Sequence, residues 1–183
     1  MNRRMIMTAI SLIWLSQWSA GCKGHSNDHA YGGVNKLVAV MHPTAGHSVQ
    51  GVVWFVKVSG QVKVIADVEG LSPGANHAIH IHEFGDATMD NGKSAGGHYN
   101  PEGHPHALPT QPKRHAGDLG NLQADASGRA HYEQTVNNIT LTGHTNPIIG
   151  RGVIIHAKND DGNQPTGNAG PRIAVGVIGI AKP

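Results

Sequence analysis

One cysteine in 183 residues leaves no partner for an intramolecular disulfide. It also excludes a Cys-rich zinc module and an iron–sulfur cluster held by four thiolates of one chain. Aromatic residues make up only 4% of the chain and charged residues 14%. A basic surplus is missing as well. Arg3 and Arg4 lie in a first segment that holds no acid, and without them 12 Lys and Arg face 12 Asp and Glu. A nucleic-acid binder concentrates positive charge on a stripe or patch, so no nucleic-acid partner is expected. No window carries a helical apolar stripe, and no apolar run reaches the roughly 20 residues a membrane-spanning helix needs. Histidine, by contrast, is abundant: 14 His equal the whole Lys and Arg complement. Neutral imidazole is the commonest protein metal ligand, which makes metal binding the first question.

The first 21 residues have the form of an export signal: Arg3-Arg4, an apolar stretch from Met5 to Leu15, then the small residues Ser19-Ala20-Gly21. Ala20-Gly21-Cys22 resembles the processing site of bacterial lipoproteins, which implies a lipidated Cys22 and membrane attachment; a secreted or periplasmic protein with an idle thiol is the alternative. Residues 22–34, rich in Gly, Ser, Asn and Asp, read as a flexible tether, with His25 and His29 as solvated tail residues. A domain is expected over residues 35–183.

From Lys36 the apolar period is that of strands. Leu37–Met41, Gly51–Val58 and Gln61–Glu69 are rich in β-branched residues and partly alternating, with Gly, Pro or Ser between them. Further strands are expected at Ala78–His82, Gly120–Ala124, Ala130–Thr135, Val153–His156 and Ile173–Ile180. Short strands between turn signals predict an all-β, eight-stranded antiparallel Greek-key barrel or sandwich. Residues 83–118 and 157–171 interrupt this economy with long irregular connections, which inside a compact domain are usually functional or disordered. The first contains His98, His104, His106 and His115, which favours function.

His80-Ile81-His82 closes a strand-like run. Alternate residues of a strand share a face, so both imidazoles can converge on one ion while Ile81 faces the other way. His98, His106, His115 and Asp118 supply three nitrogens and a carboxylate from one loop, a set suited to tetrahedral zinc. His104 competes with His106 on composition alone. His156 adds an imidazole on a late strand.

These residues stand in blocks that resemble copper/zinc superoxide dismutase. His80-Ile-His-Glu-Phe-Gly-Asp86, Ser94-Ala-Gly-Gly-His98-Tyr-Asn-Pro101, Arg114-His-Ala-Gly-Asp-Leu-Gly-Asn121, Gly150-Arg-Gly-Val-Ile-Ile-His156 and Gly167-Asn-Ala-Gly-Pro-Arg-Ile173 occur in the family's order. The resemblance implies copper bound by His80, His82, His98 and His156, and zinc bound by His98, His106, His115 and Asp118. His98 would then be a bridging imidazolate. Asp160 matches an aspartate that holds a copper-side and a zinc-side histidine through their outer nitrogens. Arg172 matches the arginine that attracts the anionic substrate, Thr166 a threonine that narrows the channel, and His77 a structural hydrogen-bonding histidine. His42, His47, His131 and His144 match no ligand position. The implied reaction turns two superoxide ions and two protons into dioxygen and hydrogen peroxide, with alternating reduction and reoxidation of copper and with His98 carrying a proton. The alternative is a non-catalytic extracytoplasmic copper/zinc-binding protein of the same fold, and a homodimer is possible in either case.

Two departures from the family pattern stand out. Gly92 and Val175 occupy the places where the family has a disulfide tying the loop before the bridging histidine to the strand after the channel arginine. The span from Asp161 to Thr166 is short, which removes most of a charged loop and implies weaker steering of the substrate.

Overall fold

The computed structural model describes residues 33–182, so the expected export signal, Cys22, His25, His29 and most of the expected tether lie outside the described residues. Nine strands form among the described residues: β1 Lys36–Pro43, β2 Gln50–Val58, β3 Gln61–Glu69, β4 Asn76–His82, β5 Asp118–Gln123, β6 Ala130–Val136, β7 Gly152–His156, β8 Arg172–Val177 and the two-residue β9 Gly179–Ile180. The only helix among the described residues is a single 3-10 turn, Lys93–Ala95.

All pairings between these strands are antiparallel, in the order β5-β4-β7-β8-β1-β2-β3-β6, with β9 against β1. The expected eight-stranded Greek-key barrel is the observed fold. Its Greek-key crossings are the connections β3 to β4 and β6 to β7, each joining strands that are not neighbours. The two outer strands approach each other, and the Tyr132 hydroxyl donates to the Leu119 carbonyl at 2.5 Å, so the barrel is nearly closed.

The strand expected over Ile173–Ile180 is broken at Ile178, whose N–H and C=O turn aside to Arg151 and Gly150. The strand expected from Gly120 begins instead at Asp118, because a register shift in β4 pairs His80 with Asp118.

Burial divides the barrel into two halves. In β1 and β3 buried residues alternate with half-buried or exposed ones, and Leu37, Ala39, Met41, Val62, Val64, Ala66 and Val68 point into the core. Phe55 of β2 is fully buried there, a side chain whose burial contributes about 1.5–3 kcal/mol. In β4 and β7 nearly every residue is buried, on both faces. Ile79, Ile81, Val153 and Ile155 fill the barrel, while His80, His82 and His156 take the alternate positions on the outer face. Residues 83–117 cover that face.

Backbone hydrogen bonds pin this loop to β4. Tyr99 N–H donates to Ile81 O and Ile81 N–H to Gly117 O, both at 2.9 Å. Gly117 approaches so closely that a Cβ there would lie 2.1 Å from Ile81 O, which explains why this position carries no side chain.

Candidate metal centre

Two groups of buried donors lie on the covered face: His80, His82, His98 and His156, and His98, His106, His115 and Asp118. Within each group, one ligand atom from every residue lies within 4.8 Å of all the others. His98 belongs to both. The structure thus brings together every residue the sequence singled out as a ligand, and it leaves His104 outside, half-buried and bonded to the Arg114 carbonyl at 3.3 Å.

Strand period explains the first group. His80 and His82 share a face of β4 with ring centroids 6.5 Å apart, and His156 of the adjacent β7 places its ring 5.1 Å from that of His80. His98 reaches them because its backbone forms an isolated bridge to His82.

The outer nitrogens of His80, His82, His106 and His156 each have an acceptor, and this sets the orientation of these rings. His82 Nδ1 donates to Gly96 O at 3.0 Å and His156 Nδ1 to Gly170 O at 3.1 Å. His80 Nε2 and His106 Nε2 donate to the two oxygens of Asp160, each at 2.9 Å. The opposite nitrogens of three of these rings, His80 Nδ1, His82 Nε2 and His156 Nε2, are buried and have no hydrogen-bond partner, while His106 Nδ1 faces Asp118 Oδ1. Three orphaned lone pairs directed into one site are costly unless something electrophilic takes them. This donor set fits metal ions.

In the second group Asp118 Oδ1 lies 3.0 Å from His98 Nδ1, 3.0 Å from His106 Nδ1 and 3.3 Å from His115 Nδ1. His115 Nδ1 and His98 Nδ1 are 3.4 Å apart. A tetrahedron with metal–ligand bonds of about 2.0–2.1 Å has edges of about 3.3 Å, so these spacings suit zinc. The other oxygen of Asp118 accepts from the backbone N–H groups of Ala107 and His115 at 3.1 and 3.0 Å.

Electrostatics separate the two sides. Burial pushes His98 down to about 4, with its Asp118 hydrogen bond only partly opposing, and pushes His156 down to about 3 with help from His80. His82 is lowered by burial and by His98. These rings are neutral near pH 7, as ligation requires. For His106 burial acts in the same direction, but hydrogen bonds to Asp118 and Asp160 outweigh it and raise the ring to about 9. Burial would raise Asp118, yet hydrogen bonds from His106, His115 and His98 hold it well below the usual carboxylate range.

A family model described as copper/zinc superoxide dismutase matches residues 49–178. The chain belongs to the copper/zinc superoxide dismutase family. Among its relatives, a superoxide dismutase [Cu-Zn] of Schizosaccharomyces pombe is 48% identical over 156 residues, covering 80% of this chain and 98% of the relative. One from Paramecium bursaria Chlorella virus 1 is 47% identical over 141 residues, 73% of this chain and 74% of the relative. An extracellular superoxide dismutase [Cu-Zn] of Onchocerca volvulus is 41% identical over 174 residues, 88% of this chain and 84% of the relative.

Where the family has a disulfide, Gly92 precedes the 3-10 turn and Val175 packs in a small buried cluster with Ala95 and Ile154. Half-buried Arg172 donates from its two terminal nitrogens to Gly92 O and Gly96 O, at 2.5 and 2.6 Å. Its charge lies close enough to His82 and His156 to oppose their protonation. Thr166 is exposed in the turn at residues 164–168. His77 accepts from Ser72 N–H on Nε2 at 3.2 Å and donates from Nδ1 to His156 O at 2.9 Å, so it is a strut behind a candidate ligand.

Two supporting residues escaped sequence reasoning. Asn121 brackets the backbone of Asp160, accepting from its N–H at 2.6 Å and donating to its C=O at 2.9 Å. Gln164 does the same for His106, at 3.1 and 2.6 Å. No local pattern marks either one, because their partners lie 39 and 58 positions away.

Proposed function

We propose that the chain is an oxidoreductase that converts two superoxide ions and two protons into dioxygen and hydrogen peroxide. The sharing of His98 between an all-imidazole group and a group containing Asp118 is the observation that carries this reading. The softer set suits copper and the harder set zinc. Copper on His80, His82, His98 and His156 would supply one-electron exchange with superoxide, while zinc on His98, His106, His115 and Asp118, lacking redox chemistry, would stiffen the loop and tune the shared ring.

The remaining tasks fall to the protein. Arg172 draws in the anion: two of its five N–H donors are used on Gly92 O and Gly96 O, and the others are free to meet a small oxyanion. With zinc taking its Nδ1 lone pair beside Asp118, His98 could hold a proton at Nε2. Asp160 orients His80 and His106 together, coupling the two sides. Thr166 narrows the approach.

The full chain reconstituted with copper and zinc should dismute superoxide far faster than an equal amount of free copper. His156→Ala should abolish this, and Arg172→Ala should retain both metals but lose rate. A two-metal protein no faster than free copper would leave the non-catalytic metal-binding reading in its place.

We propose further that residues 1–21 direct export and that residues 22–34 tether the 35–183 domain, with Cys22 as a lipid attachment site. The extracellular relative supports an exported location. Mass spectrometry of the mature protein, recovered from cell fractions, tests all three points. A homodimer is proposed through the face where exposed Val40, Met89 and Val177 line one shallow groove, since large apolar side chains left together in water favour association. Light scattering should give a dimer for the wild type and a monomer for Met89→Glu.

A further inference from the structure

Thr44, immediately after β1, is 4% exposed and has no part in either donor group. Its hydroxyl donates to the backbone oxygen of Arg172 at 2.7 Å, and its N–H donates to Ile173 O at 3.2 Å. The next N–H, that of Ala45, donates to Asp90 O at 2.7 Å. The turn after β1 is therefore bonded on one side to the first residues of β8 and on the other to the loop whose carbonyls receive the Arg172 guanidinium. Contacts run in a closed ring from Thr44 through the backbone and side chain of Arg172 to Gly92, Asp90 and Ala45.

Arg172 needs such an anchor. It is the first residue of β8, and its pairing with His156 lies at a register shift between Ile155 and His156. The sheet ladder is irregular at this point and fixes the backbone less firmly. No covalent tie crosses the gap, since Gly92 and Val175 carry no sulfur. The Thr44 methyl also fills the space beside Gly92, where a Cβ would lie 3.4 Å from it and 3.5 Å from the Arg172 stem.

We propose that Thr44 is a positioning residue that holds Arg172 at the angle required to receive a small anion, through its hydroxyl bond to the Arg172 carbonyl. This builds on the functional reading above, because the anion is the one that reading assigns. Misplacing a positioning group by a fraction of an ångström weakens its ligand contact out of proportion to the lost hydrogen bond.

Thr44→Val keeps the shape and removes the donor, whereas Thr44→Ser keeps the donor. Thr140→Val serves as a control, losing a hydroxyl bond to Thr145 O of 2.6 Å in another loop; Thr44→Ala replaces the valine variant if that one does not accumulate. Two readouts apply. Azide titration of the copper- and zinc-loaded protein, followed by visible absorbance, should show affinity about 3–10-fold weaker in Thr44→Val and within about twofold of wild type in Thr44→Ser and Thr140→Val. Solvent exchange of the Arg172 guanidinium protons by NMR in the metal-free protein should be several-fold faster in Thr44→Val alone. If the wild type bound no azide while this exchange still responded, the functional reading would fail and the positioning role would stand. Wild-type exchange and azide affinity in Thr44→Val, or equal impairment in Thr44→Ser, would overturn the proposal.

Discussion

Asp160→Asn changes one atom and should disconnect the two halves of the metal centre. The carboxylate accepts from His80 Nε2 and His106 Nε2 at 2.9 Å each, and its Oδ1 also accepts from Gly162 N–H at 2.9 Å. Asparagine retains one acceptor oxygen and converts the other into a donor, so one imidazole meets an N–H where it had an oxygen, and neither faces a negative charge. A hydrogen bond to a charged group contributes about 1.5–3 kcal/mol. Loss of such an outer partner typically lowers metal affinity by about 10–100-fold. The effect should fall harder on zinc. His80 is held in β4 by its ladder, whereas His106 lies in the irregular 83–117 loop and relies on Asp160 and Gln164. Competition against a chromophoric chelator would measure both affinities, with zinc expected to weaken by about 10–100-fold and copper by less. Zinc affinity within twofold of wild type, or a loss confined to copper, would refute the argument.

Gly167→Ala should damage the same clamp from behind: φ is +71° there and a Cβ would lie 2.0 Å from Asp160 Oδ1. The left-handed backbone alone costs about 1–2 kcal/mol, so denaturant unfolding of the metal-free variant should show at least that loss, together with poorer zinc retention. Because His106 is raised to about 9 in the metal-free protein, it is an imidazolium at neutral pH, and zinc binding must expel its inner proton. Calorimetry in buffers of different ionisation enthalpy should find about one proton released from this residue per zinc near pH 7, disappearing above about pH 9. The same raised pKa contributes stability to the metal-free protein that is fully present below about 6.5 and is lost as pH rises through about 9, which pH-dependent unfolding would detect. The short Asp161–Thr166 span should make the dismutation rate fall less steeply with ionic strength than in relatives with a long charged loop, and an equally steep fall would count against weakened steering.

Much of the barrel was legible because strand period is a local property. Leu37–Met41 and Gln61–Glu69 read as strands from their β-branched, partly alternating sequence, and both are strands whose alternate residues are buried. The break at Ile178 was not legible. It depends on where Arg151 and Gly150 arrive, and these reach β8 only after the β6-to-β7 crossing. The onset of β5 at Asp118 was hidden for a similar reason, since only the bulge opposite His80 brings that residue into register.

The sequence by itself determined the donor chemistry. His80 and His82 had to share a face because strands alternate, and the abundance of imidazole with a nearby carboxylate pointed to metal before any contact was known. Tertiary structure alone decided which nitrogen of each ring is free. That choice rests on Asp160, Gly96 and Gly170, of which Asp160 meets partners 80 and 54 residues away. A tautomer depends on the acceptor that folding brings to the other nitrogen, and periodicity along one strand carries no information about which distant segment supplies it.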